Sequence, residues 1–70
     1  MTLGQKITYY RKKARLSQKE LAEKVGIHKN YLSGIENDHF LPHLKTVWLI
    51  ANFLGVELKT LLYEGKGQVE

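Results

Sequence analysis

Cysteine is absent from all 70 residues, so neither a disulfide nor a thiolate metal site can brace this chain. A thiol-free composition accords with a reducing cytoplasm, the expected location. Long apolar runs are also missing. The longest, Val47-Trp48-Leu49-Ile50-Ala51, falls far below the ~20 residues that a bilayer span needs. The opening Met1-Thr2-Leu3-Gly4-Gln5-Lys6 has no signal-peptide apolar stretch. Proline occurs once, at Pro42. No alternating strand pattern and no repeat is present. The length allows one domain, which buries only about 60–65% of its unfolded surface and so has modest stability.

Acid is scarce as well, with 7 Asp and Glu against 11 Lys and Arg and a net charge of +4. The imbalance is uneven. Residues 1–45 carry nine basic and four acidic side chains, and residues 46–70 carry two and three. A basic front with a neutral back suits a surface that faces phosphates. Ordinary solubility charge explains the same balance equally well.

The periodicity is helical throughout and predicts five short helices. The first covers about residues 3–14, with Leu3, Ile7, Tyr10 and Ala14 on one stripe. The second follows Ser17, because Ser17-Gln18-Lys19-Glu20 has the form of a capping box. It stops at Gly26, which can adopt the left-handed conformation. The third covers about 28–36 and ends at Asn37-Asp38. Pro42 punctuates the chain before the fourth, about 44–54, which Gly55 closes. The fifth covers about 57–63. One domain over 1–64 with a frayed tail at 65–70 is expected.

Residues 18–37 carry the informative pattern. Val25-Gly26-Ile27 joins two short helices, with small Ala22 where they approach and Leu21, Val25, Leu32 and Ile35 facing inward. At about 100° per residue, Leu32 and Ile35 of the third helix point to the core with His28 nearby. Asn30, Ser33, Gly34 and Asn37 fall on the opposite face and Lys29 at its edge. That face is small, polar and free of acid, and can enter a major groove about 12 Å wide without charge repulsion. A face kept only for solubility usually carries Glu and Lys pairs.

Ser17-Gln18-Lys19-Glu20-Leu21-Ala22, Leu32-Ser33-Gly34-Ile35-Glu36-Asn37 and the stretch from Leu44 through Val56 together resemble the phage repressor and Cro-type helix-turn-helix family, also called XRE-like. The resemblance covers residues 3–62. It implies an all-α, compact five-helix domain of the lambda-repressor type, whose third helix enters the major groove of double-stranded DNA. By the same resemblance, Lys29, Asn30, Ser33 and Gly34, with His28 beside them, are placed at base edges. Asn suits adenine and Lys suits guanine. Gly34 departs from the family, which often has a longer side chain there. Close approach of its backbone to DNA or to a thymine methyl is the expected compensation, and mere tolerance the alternative. Gln18 and Asn37 match positions that grip the backbone, while Lys45 and Lys19 are neighbouring cations suited to phosphates. Arg11 and Glu36 match a pair of positions commonly joined in a partly buried salt bridge, which would keep Glu36 away from DNA.

Other chemistries find little support. His28, His39 and His43 match no ligand spacing, so no metal is expected. No cofactor is expected either, and neither a Gly-rich phosphate loop nor a Ser/His/Asp arrangement suggests an enzyme. Tyr9, Tyr31 and Phe40 can stack on bases, although Tyr31 beside Ile35 reads better as partly core. On the fourth helix, Leu44, Val47, Ala51 and Leu54 form the expected inward stripe. Leu49 and Phe53 then lie outward and, with Leu58 and Leu62, form a candidate homodimer interface. The expected function is a sequence-specific transcriptional regulator that represses by occlusion, as a dimer on an operator. Two alternatives stand beside it: an antitoxin-type protein that binds a toxin partner, and a non-specific nucleic-acid binder.

Overall fold

Thr2 and Ser17 start their helices by the same device. In the computed structural model, which describes residues 1–63, the Thr2 hydroxyl accepts from the Gln5 amide at 3.1 Å and Gln5 Oε1 accepts from the Thr2 amide at 2.9 Å. Ser17 and Glu20 repeat the exchange at 3.0 and 2.8 Å. Such caps contribute about 0.5–2 kcal/mol each by satisfying orphan first-turn amides. They open α1 (Leu3–Lys13) and α2 (Gln18–Val25). Then follow α3 (Lys29–Glu36), α4 (Leu44–Leu54) and α5 (Leu58–Leu62). Among the described residues there is no strand, and no helix is long and apolar enough to cross a membrane. The tail expected at 65–70 lies outside the described residues.

Gly26 ends α2 at φ +87° and Gly55 ends α4 at φ +74°, a left-handed backbone that favours glycine. The turns they permit fold the helices around one core. Ile7, Leu21, Leu32, Ile35, Ile50 and Leu61 are fully buried, one or two from every helix. Leu3, Tyr10, Ile27, Leu54 and Val56 pack against them from half-buried positions. Lys6 is also buried, with its ammonium donating to the Tyr63 carbonyl at the end of α5.

Two packing expectations are corrected. Leu44 is 62% exposed rather than inward. It occupies the first position of α4, where the Val47, Ile50 and Ala51 stripe has run out of partners. Ala14 is the exposed C-cap of α1, beyond the last turn that packs.

The start of α1 crosses the end of α3 at Gly4. A Cβ at Gly4 would stand 2.5 Å from the carbonyl oxygens of both Ile35 and Glu36, and 2.7 Å from Asp38 Oδ1. Asp38, at φ 59°, turns its carboxylate back to accept from the Gly4 amide at 3.0 Å and from the Thr2 hydroxyl. Gly4→Ala should therefore lower stability by about 1–3 kcal/mol through overpacking, despite alanine's better helix propensity. Urea unfolding measures it, and a variant as stable as the parent would show that α1 can shift away.

Candidate nucleic-acid interface

Leu21, Ala22 and Val25 bury the inner side of α2, and Leu32 and Ile35 bury that of α3. Half-buried Ile27 packs the turn between them against the core. Fixing these positions decides what α3 shows to solvent. Lys29, Asn30 and Asn37 are exposed and Ser33 is half-buried. None carries negative charge.

The one acidic residue of α3, Glu36, is turned into the fold. Its Oε2 accepts from Arg11 Nε at 2.7 Å, and its Oε1 from Arg11 Nη2 at 3.1 Å. The Gln18 side-chain amide adds a third bond at 3.0 Å. The Thr8 hydroxyl lies 2.9 Å away and shares its proton with the Gly4 carbonyl. Arg11 also donates to the Leu16 carbonyl at 2.8 Å. The two charged side chains are only 10% and 4% exposed. Burial pushes the Glu36 carboxyl up, but the bonds from Arg11, Gln18 and Thr8 outweigh it and hold the group below its ordinary value.

The backbone-contact candidates surround this face. Gln18, in the first turn of α2, is half-buried because one amide hydrogen is spent on Glu36, which leaves the other free. Lys19 is exposed beside it. Asn37 caps the end of α3 and donates to the Ser33 carbonyl at 2.8 Å. Lys45 is exposed at the start of α4, where His43 forms no side-chain cap. The first-turn amides of α4 thus lack a side-chain acceptor from their own cap.

Several sequence expectations change here. His28 is not near the core. It precedes α3 as its exposed N-cap, and its Nδ1 accepts from the Asn30 amide at 3.0 Å. That bond satisfies an orphan donor and holds the ring outside the helix. Gly34 is not an open DNA-facing position. It is buried under Phe40, and a Cβ there would come within 2.5 Å of the ring carbons Cε2 and Cζ. The roughly 1 kcal/mol that a mid-helix glycine costs makes room for this ring. Phe40 also stacks on Tyr31, with centroids 5.2 Å apart and planes within 10°. The sequence marks Phe40 as able to stack on bases, but its contact with Gly34 has no helical spacing, and the mid-helix glycine is the one signal of that contact.

The expected outward patch is corrected too. Leu49 and Leu58 pack half-buried against the core, because α5 folds back along α4. Phe53 and Leu62 are exposed, together with Trp48 and Tyr63. Among the described residues no three His, Asp or Glu side chains converge as a metal site.

Removing either Arg11 or Glu36 alone should cost about 3–5 kcal/mol, while replacing both by apolar residues should cost less than the sum. Urea unfolding of the parent and three variants is the check; single variants within about 0.5 kcal/mol of the parent would contradict it. Because the folded Glu36 value is depressed, its stabilisation is fully present above the unfolded value of about 4.3. It is lost as pH falls through the folded value. Glu36→Gln should therefore unfold with weaker acid dependence than the parent between about pH 6 and pH 3. Part will remain, since Glu20 is also held low by the Ser17 amide and hydroxyl.

A family profile described as helix-turn-helix matches residues 7–61. The chain is 39% identical over 64 residues to the immunity repressor protein of Bacillus phage phi105, covering 91% of this chain and 44% of that protein. It is 43% identical over 63 residues to the HTH-type transcriptional regulator SinR of Bacillus subtilis, covering 89% and 57%. It thus spans about half the length of these two relatives. The crystal structure of SinR, master regulator for biofilm formation, in complex with DNA matches with a TM-score of 0.84. Identity there is 40%, over 89% of this chain and 100% of that one. With the buried Arg11–Glu36 pair, the Gly26 turn and the acid-free exposed side of α3 beside these matches, the chain belongs to the helix-turn-helix family of phage repressor and Cro type.

Proposed function

We propose that this chain is a sequence-specific DNA-binding transcriptional regulator, a repressor that acts by occlusion in the cytoplasm. The observation that carries the proposal is the exposed side of α3, which presents Lys29, Asn30 and Ser33 while its one acid is buried against Arg11. Asn30 can pair with adenine through two bonds, Lys29 can donate to guanine, and Ser33 suits either acceptor or donor. His28, exposed at the head of α3, has its Nε2 left to donate. Gln18, Lys19 and Lys45 lie in the first turns of α2 and α4, where N-terminal amides and side chains suit phosphate oxygens, and Asn37, the C-cap of α3, offers its side chain alone. The likeness to a solved DNA complex supports the same reading.

A single copy reads roughly four or five base pairs through one short helix, too few to be unique among 10⁶ or more genomic sites. Two copies on successive turns, about 34 Å apart, double the site. The exposed Trp48, Phe53, Leu62 and Tyr63 of α4 and α5 offer an apolar surface away from α3, and a symmetric dimer through it completes the proposal.

A duplex enriched from a random library supplies the substrate for both tests. Asn30→Ala should lose roughly 1–3 kcal/mol on it and relax preference at one base pair, whereas Gln18→Ala should weaken matched and mismatched duplexes alike. Equal losses on every duplex for Asn30→Ala would remove it from the reading set. Phe53→Glu should leave the fold intact and abolish tight binding. Sedimentation equilibrium should then show the parent as a dimer on this duplex, and a parent that stays an 8.1 kDa monomer would overturn the dimer.

A further inference from the structure

We infer that Phe40 is a specificity-determining residue, seated where α3 lacks a side chain and reading the C5-methyl of a thymine. The inference rests on α3 facing the major groove, as proposed above, and adds a residue outside the helix to its reading surface.

The geometry begins at Gly34. On the exposed side of α3, Asn30, Ser33 and Asn37 occupy the middle, Lys29 one edge and position 34 the other. A side chain at 34 would project where the Phe40 ring already stands, since its Cβ would come 2.5 Å from Cε2 and Cζ. Ring and side chain exclude each other, so Phe40 fills the direction that a longer residue at 34 would have used. Tyr31, one turn earlier on the same edge, holds the ring by stacking at 5.2 Å and 10°. The glycine on one side and the tyrosine on the other fix the ring before any ligand arrives, which limits the ordering cost of binding.

The ring does little for the core. It is 42% exposed and lies outside the cluster around Ile7, Leu32 and Ile35. An exposed aromatic wall beside an otherwise polar face calls for an apolar partner. In the major groove the thymine methyl is the apolar group that base edges present, and phenylalanine is among the side chains that contact it. Lys29, Asn30 and Ser33 can read donors and acceptors only. Phe40 therefore supplies the one kind of contact the helix itself lacks.

The test uses the full chain and a duplex enriched from a random library. Each thymine is replaced in turn by deoxyuridine, which removes the methyl alone, and affinity is read by fluorescence anisotropy. For the parent, one thymine in each half-site should show a loss of about fourfold, the factor that burial of one methyl gives. In Phe40→Ala that ratio should fall to about one, while discrimination at the other base pairs persists. Gly34→Ala displaces the ring without deleting it. It should also lose methyl discrimination while staying folded at the assay temperature, because alanine's helix preference offsets part of the Tyr31 stacking that is lost. Parent binding that ignores every thymine methyl, or a methyl effect that survives in Phe40→Ala, would overturn the Phe40 assignment alone. A library that enriches no duplex would overturn the DNA-binding reading and this inference with it.

Discussion

The Glu36 carboxylate organises this domain. It sits at the end of α3, buried, and receives Arg11 and Thr8 from α1 and Gln18 from α2. A charge taken from water must find partners or the fold loses several kcal/mol. The hydrogen bonds of Glu36 come from two other helices, so their satisfaction ties α1 and α2 to the end of α3. Two functional consequences follow. The acid that would repel phosphates is removed from the exposed face of α3, and the Gln18 side chain at the start of α2 is held in one orientation with a hydrogen to spare.

Close approach of backbones supports the same arrangement. Gly4 lets α1 lie directly on the last carbonyls of α3, and the Asp38 carboxylate anchors the first turn of α1 just beyond them. The end of α3 is therefore clamped from below by Arg11 and from the side by Gly4. Its beginning is held by the His28 cap, the turn at Gly26 and Ile27, the fully buried Leu32 and the stack of Tyr31 on Phe40. A rigid scaffold that presents a small polar face suits a surface that must fit a groove.

Local signals were readable in the sequence, and long-range ones were not. The Ser17 capping box, the glycines at 26 and 55 and the inward Leu21, Leu32, Ile35 and Val47 follow from spacings of three or four residues, and all appear in the fold. The Thr2 box has the same spacing, as Thr-x-x-Gln, at the head of α1. The Arg11–Glu36 pair came from family resemblance, since nothing within either helix joins residues 25 apart. Phe40 on Gly34 and Asp38 against Gly4 join a loop to a helix, and no periodicity encodes them. Leu44, Leu49 and Leu58 lie on other sides than a helical wheel indicates, because a wheel cannot show where a neighbouring helix ends or folds back.

Backbone amide mapping tests recognition through α3 most directly. The labelled chain is titrated with its enriched duplex and followed by nuclear magnetic resonance. Shifts concentrated at residues 28–40, at the first turn of α2 and at the start of α4 are expected, with Trp48, Phe53 and Leu62 changing only as the chain pairs with a second copy. Shifts centred on α4 and α5, with residues 28–37 unchanged, would contradict DNA recognition through α3.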